Sequence, residues 1–461
     1  MKNRACLTLL LCACNTTGAP SLQTSGGAET SAFAAQKLKA STGTLATTFR
    51  TVTFRQGNLT GATMHLSIGY GSAAFHSPFE PANEVWTAGD RGPNFGCKDD
   101  DSAGQPYTGL SAFCDDAGVV FPVVGYVPSL YHLRLATSGG RLTATVLETV
   151  ALHDAGGQPI SGISNAFAEP PFSSIGSALP ADDSGLDSEG LVRLYDGSFW
   201  VSEEYAPSLV HVAADGTVLE RVVPKGRAVQ LGQAAYPVSD GLPGILTQRA
   251  PNRGIESLGI SPDQTTLYFA MQSPLANPDD DAYKHSRNVR LFTVSLGSEG
   301  SFTSVTHEYV YELDMPEQFP DAGATKQHNV SLSEMTVLTD GRLLLDEHAG
   351  STTTLVRIDL TRATDILGTQ WDSRRDSNTS NKTLETADLS TIAAQDKAGV
   401  VTVTKTRVFD SHTDAPRLGS KIEGVALLDA TNLFLVSDND FGIDGAPTTL
   451  TILPLVPQLT R

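Results

Sequence analysis

The 461-residue sequence is short of positive charge, of cysteine and of long apolar runs. Its 32 lysines and arginines face 51 aspartates and glutamates, for a formal net charge of −19. Gripping a nucleic-acid backbone needs a basic face, so that partner is excluded first. An acidic surface otherwise serves mainly solubility. No apolar stretch reaches the roughly 20 residues that a transmembrane helix needs. The sequence has no Gly-x-Ser-x-Gly elbow, no His-Glu-x-x-His and no phosphate-binding glycine loop ahead of a helix. Common serine-hydrolase, zinc-protease and nucleotide-binding signatures are therefore missing.

The five cysteines are informative by position. Lys2 and Arg4 precede a short apolar run, Ala5 to Ala13, which reads as a secretory signal. Leu11-Cys12-Ala13-Cys14 resembles a bacterial lipobox, which would make Cys14 the lipidated residue. The alternative is an ordinary signal cut in the Ala/Thr/Ser-rich stretch that follows. The expectation is export with lipid anchoring to a bacterial membrane, touched only through that anchor. Signal, flexible tether and folded domain would occupy 1–13, 14–43 and 44–461. Cys97 and Cys114 remain, and an oxidising compartment makes them a disulfide. Without nearby histidines they supply only half a zinc shell.

Glycine (42) and proline (25) separate short runs of strand formers, which favours an all-β chain. Four times a glutamate opens an apolar strand, and a second strand ends on a polar group 13 to 16 residues later. The pairs are Glu189 with Glu203, Glu256 with Gln272, Glu334 with Glu347, and Glu423 with Asp438. That spacing is one antiparallel hairpin, whose first strand starts beside the end of its second.

The strands group into packets spanning Leu66–Ala151, Glu189–Pro224, Glu256–Leu313 and Glu334–Asp410, with a three-stranded fifth beginning at Glu423. Thr44 to Phe54 is strand-like and lacks a sheet of its own. If it completes the fifth packet, the ring closes and open edges disappear. The predicted fold is a β-propeller of five blades, with a sixth conceivable in 153–186 or 225–252. The same strands could build a β-sandwich, but a sandwich does not require equivalent acids at equivalent strand positions.

In a propeller the first strand of each blade lines the channel. Glu189, Glu256, Glu334 and Glu423 would then converge at one mouth, with Glu203, Glu347 and Asp438 behind them and Asp90 from the first packet. Carboxylates so close cannot all stay ionised without compensation. A hard divalent cation resolves the conflict, calcium most readily. The simpler alternative is that each glutamate accepts backbone hydrogen bonds from a neighbouring blade. Arg91, Arg253, Lys421 and His328 stand beside the acids in sequence and would hold an anionic ester. Asp438-Asn439-Asp440 with Asp444 partly matches a calcium loop without its closing glutamate. Asp99-Asp100-Asp101 and Asp279-Asp280-Asp281 read as solvated loops, and His348 as packed between blades.

At these residues the chain resembles the phytase-like family described as "esterase-like activity of phytase". The matching segments are Asp187-Ser188-Glu189-Gly190, Phe199 to Ser208, Asn252 to Leu258, Gln272-Ser273-Pro274-Leu275, Lys421-Ile422-Glu423-Gly424 and Val436 to Phe441. The resemblance implies a secreted propeller whose recurrent Glu and Asp residues are catalytic or metal-binding. Glu347-His348 departs from the Glu-Arg of similar chains, and the first packet lacks the glutamate. The resulting expectation is a monomeric, calcium-dependent hydrolase of small phosphate esters. Glu189, Glu256 and Glu423 would be catalytic, and Asp90, Glu203, Glu334, Glu347, Asp438 and Asp440 would bind metal. The alternatives are a carboxylic ester or lactone hydrolase on the same site, or a non-catalytic scaffold propeller.

Overall fold

The computed structural model describes residues 40–54, 61–97, 114–115, 117–319, 323–373, 382–416, 418 and 421–454. Cys14 and Asp99-Asp100-Asp101 lie outside them. The chain opens with β1 (Ser41–Leu45) and a separate pair, β2 (Thr48–Thr53) and β3 (Thr63–Ser67). Blade one comprises β4 (Ala73–Phe75), β5 (Glu84–Ala88), β8 (Ser129–Ser138) and β9 (Arg141–Ala151). Between β5 and β8 come β6 (Phe95–Gly96) and β7 (Val119–Phe121), which form a small sheet with β10 (Pro171–Ser173).

Blade two is β11 (Ser188–Arg193), β12 (Phe199–Glu203), β13 (Ser208–Val212) and β14 (Val218–Pro224), extended by a parallel strand β15 (Val238–Leu242). Blade three is β16 (Ile255–Ile260), β17 (Thr266–Met271), β18 (Asn288–Leu296) and β19 (Phe302–Glu312). Blade four is β20 (Val330–Val337), β21 (Leu343–Ala349), β22 (Thr352–Asp359) and β23 (Thr404–Asp410). Blade five is β24 (Ile422–Asp429), β25 (Asn432–Ser437) and β26 (Thr448–Pro454), completed by β1, which pairs antiparallel with β26.

The inner strands touch in the cycle β4, β11, β16, β20, β24 and back to β4. The ring therefore closes with five blades, and the stretches 153–186 and 225–252 hold no sixth. The closing strand is shorter than the sequence suggested and begins earlier. The chain leaves the fifth blade after Leu45 and turns away to pair Thr48–Thr53 with β3. The core is the set of layers between blades, so inner strands are covered on both faces and read as continuous apolar runs. All six residues of β16 are buried, and Trp86 and Trp200 fill two of the layers.

Cys97 and Cys114 form a disulfide. Asp279-Asp280-Asp281 is not a loop. The Asp279 carboxylate caps the helix α1 (Asp280–His285), where the N-terminal amides and dipole favour acids.

Two glycines set how closely the inner strands approach. A Cβ at Gly190 would lie 2.8 Å from Leu258 Cβ, and one at Gly424 would lie 2.5 Å from Val436 Cγ1 and 2.8 Å from the Ala73 carbonyl carbon. Gly424→Ala should therefore destabilise by about 1–3 kcal/mol through overpacking. Gly125→Ala, whose Cβ would meet nothing within 4 Å, should melt with the parent. Equal melting temperatures for the two variants would contradict this packing.

Candidate functional site

Each glutamate-bearing hairpin carries a break in register at its glutamate. The ladder skips from Ser188 to Gly190, from Ile255 to Ser257, from Leu332 to Met335 and from Ile422 to Gly424. Glu189, Glu256, Glu334 and Glu423 sit in those gaps, and such a bulge re-aims a side chain out of the strict alternation. Three of them, Glu189, Glu256 and Glu423, line one polar cavity of about 390 Å³. Asp90, Arg91, Glu169, Asp187, Glu204, Asn252, Gln272, Lys421, Asp438 and Asp440 complete its polar wall.

Register explains which strand ends reach the cavity. Ser188 pairs with Glu203, Ile255 with Met271 and Ile422 with Ser437. The next residues are Glu204, Gln272 and Asp438, and all three face the cavity. Glu203 points the other way, since neighbouring residues of a strand face opposite sides. It is fully enclosed, 2.6 Å from Arg221 Nη2, and accepts from the Tyr205 and Ala206 amides and the Ser208 hydroxyl.

Glu334 and Glu347 are likewise placed away from the cavity. Glu334 accepts the backbone amides of Ala74, Leu258 and Met335, which ties blade four to blades one and three. Glu347 accepts from the Tyr311 hydroxyl and the Asp314 amide and pairs with Lys405 at 2.9 Å. These three carboxylates have partners supplied by the fold, so the expected metal-binding role does not match their surroundings. His348 bonds the hydroxyls of Ser331 and Ser333.

Arg253 and His328 are also separated from the acids. They line a neighbouring cavity of about 240 Å³ with His348. The part-match to a calcium loop dissolves in the same way. Asp438 and Asp440 both turn to Lys421, at 3.3 and 2.6 Å, whereas Asp444 caps its own turn at the Ala446 amide.

Asp187, Glu204, Asn252 and Gln272 belong to the cavity although the sequence gave them no role. Asp187 precedes Glu189 by two residues, and one oxygen each from Asp90, Asp187 and Glu189 lie within 4.8 Å of one another. Asp187 accepts the Arg91 amide at 3.1 Å and faces Arg91 Nη1 at 3.3 Å. Arg91 also donates through Nη2 to Asn252 Oδ1 at 3.1 Å and lies 3.6 Å from Glu169. Arg91 Nη1 makes no well-directed hydrogen bond despite its two close carboxylates. Distance alone gives charge pairing, and we take the angular test as decisive for the bond. That N–H therefore stays available to a ligand.

Electrostatics follow from burial. Desolvation, opposed by Arg91, raises Asp187 to about 7. Glu423 rises to about 8 through burial and Asp438, against Lys421. Burial followed by neighbouring carboxylates pushes Asp90, Glu189 and Glu256 well above the usual range. Asp438 Oδ1 and Gln272 Oε1 are buried oxygens without partners. Crowded carboxylates plus orphaned acceptors are the donor set of a hard divalent cation, so the residues present fit such an ion.

Backbone strain marks the same place. Asn252 (φ 51°), Lys421 (54°), Asp440 (44°) and Phe441 (54°) adopt left-handed conformations that non-glycine residues rarely take, and all four line the cavity.

Comparison with known proteins adds the family. The Phytase-like family, "Esterase-like activity of phytase", matches residues 109–441. An uncharacterized secreted protein of Arthroderma benhamiae is 30% identical over 247 residues, which are 46% of this chain and 47% of that protein. The match thus spans about half of that relative's length. Among solved structures, the calcium-binding protein regucalcin from Agrobacterium tumefaciens aligns over 89% of this chain and 97% of its own, at 14% identity and a TM-score of 0.34. The PQQ-bound aldose sugar dehydrogenase of Streptomyces coelicolor aligns over 86% of each chain, at 9% identity and a TM-score of 0.30. With most of its length matched by the family's sequence pattern, this five-bladed propeller belongs to the Phytase-like, esterase-like-activity-of-phytase family.

Proposed function

We propose that the protein is an exported, calcium-dependent hydrolase of small phosphate esters. The observation that carries this reading is one cavity in which three bulge glutamates meet Asp90, Asp187 and Asp438 beside the cations Arg91 and Lys421. Family membership supports a hydrolase-type propeller. Export is supported by the Cys97–Cys114 disulfide and by the secreted relative. Anchoring through Cys14 is part of the same proposal.

Asp90, Asp187, Glu189 and Asp438 would hold the cation, because their oxygens are close together or lack partners. Calcium suits an irregular set of six to eight oxygens at about 2.3–2.6 Å, which the 4.8 Å spread among three of them accommodates. A divalent cation bound there supplies Lewis-acid neutralisation of charge on the ester. Glu256 or Glu423 takes a proton from the attacking water, since a carboxylate raised toward neutrality is suited to a general base. Arg91, through its uncommitted Nη1 proton, and Lys421 pair with the anionic oxygens. Two cations beside the carboxylates favour a phosphate ester over a carboxylic ester or lactone, which bring no such charge.

Chelation should abolish hydrolysis of an aryl phosphate, and Glu256→Gln should lower kcat by about 10²- to 10⁴-fold with folding intact. Full activity in either test contradicts the mechanism. Faster turnover of aryl acetate or a lactone than of aryl phosphate would reassign the substrate.

The raised carboxyl groups also fix a pH dependence. A carboxyl whose folded pKa exceeds its unfolded value keeps its proton longer in the native state. Without a cation, its contribution is therefore present below about pH 4 and lost as pH rises through about 7 for Asp187 and about 8 for Glu423. Calcium binds the deprotonated forms, so the gain in melting temperature on adding it should grow from pH 5 to pH 8. A gain that is equal at both values would exclude these groups as ligands.

A further inference from the structure

The cavity that receives Arg253 and His328 differs in charge from the one beside it. Its lining is Arg253, His328, His348, Ser331, Asn329 and three small residues, with no carboxylate among them, in a chain of net charge −19. Arg253 spends Nη1 on the Asn252 carbonyl oxygen at 2.7 Å. Its Nε proton is buried and unpartnered, and so is His328 Nδ1. A buried donor without an acceptor costs about 1–3 kcal/mol, so this pocket calls for oxygen acceptors from a ligand. Lys326, Arg253 and Lys284 all disfavour the charged form of His328, a sign of local positive potential. At about 240 Å³ the cavity equals about eight waters of roughly 30 Å³ each, which is room for one tetrahedral oxyanion and its hydration.

The two cavities share a wall. Asn252, in its left-handed conformation, faces the acidic cavity and accepts from Arg91. The next residue, Arg253, faces the basic one. Arg253 also acts electrostatically on Glu256 across that wall.

We propose that the basic cavity is a second anion subsite, which holds a phosphoryl group of the substrate other than the one being hydrolysed. The substrate class is then an ester carrying at least two phosphoryl groups. The substrate half of this proposal rests on the phosphate-ester reading of the acidic cavity, whereas anion binding at Arg253 and His328 does not.

The test is titration of the intact protein with inorganic phosphate in excess chelator, followed by ³¹P line broadening. The parent should bind phosphate without any divalent cation. Arg253→Gln and His328→Gln should each weaken that binding about tenfold or more, the loss of one charge-assisted hydrogen bond, while Glu256→Gln retains it. Circular dichroism and melting establish that each variant is folded, and either folded variant suffices to decide. Absence of phosphate binding in chelator, or unchanged affinity in a folded Arg253→Gln or His328→Gln variant, overturns the subsite. A second arm compares kcat/KM for an alkyl bisphosphate and the matching monophosphate. The parent should prefer the bisphosphate, and the ratio should fall about tenfold in Arg253→Gln. No turnover of any phosphate ester would remove the hydrolase reading and the substrate class with it, while the phosphate titration alone decides the anion site.

Discussion

Carboxylates brought into a buried ring must be compensated, and the way each one is compensated organises the molecule. Five inner strands place acids around one axis, where desolvation disfavours their charge. Some acids receive partners from the fold itself. Glu203 has Arg221, Glu347 has Lys405, and Glu334 has three backbone amides from three different blades. Those groups hold the ring together. Glu189, Glu256, Glu423, Asp90 and Asp187 are left with too few cations for their number, and their protons are held well above the usual range. The unpaid half of the ring is the half that opens to the cavity.

Local backbone devices enforce this division. A bulge at each recurrent glutamate removes it from the ladder, and glycine after Glu189 and Glu423 lets the adjacent strands close in. The left-handed residues Asn252, Lys421, Asp440 and Phe441 direct chain and side chains at the mouth. Strain of this kind persists only where the surroundings over-determine it, here a ring closed by β1 on β26. The wall at Asn252–Arg253 then separates a cavity rich in acids from one without any.

Much of this was legible in the sequence, because hairpin length and the polar groups at strand ends are local properties. The recurrent spacing gave the blades, the closing N-terminal strand and three of the cavity glutamates. Register was not legible. A shift of one residue reverses the face a side chain takes, so Glu203 stood in for Glu204. The fourth glutamate looked equivalent to the others, yet only three-dimensional packing brings the Ala74 and Leu258 amides to it. Asp187 could have been found from its alternation with Glu189 across Ser188. Arg253 and His328 could not have been separated from the acids, since sequence proximity to Glu256 and Glu334 says nothing about which side of a wall a side chain occupies.

The central claim is that the unpaired carboxylates are ligands held partly protonated until a cation arrives. Calorimetric titration with calcium at pH 7, repeated in buffers of different ionisation enthalpy, measures the protons exchanged on binding. The account predicts saturable binding with net proton release, which shrinks when Asp187→Asn or Glu423→Gln removes a titrating group. Absence of binding, or binding without proton release, would contradict it.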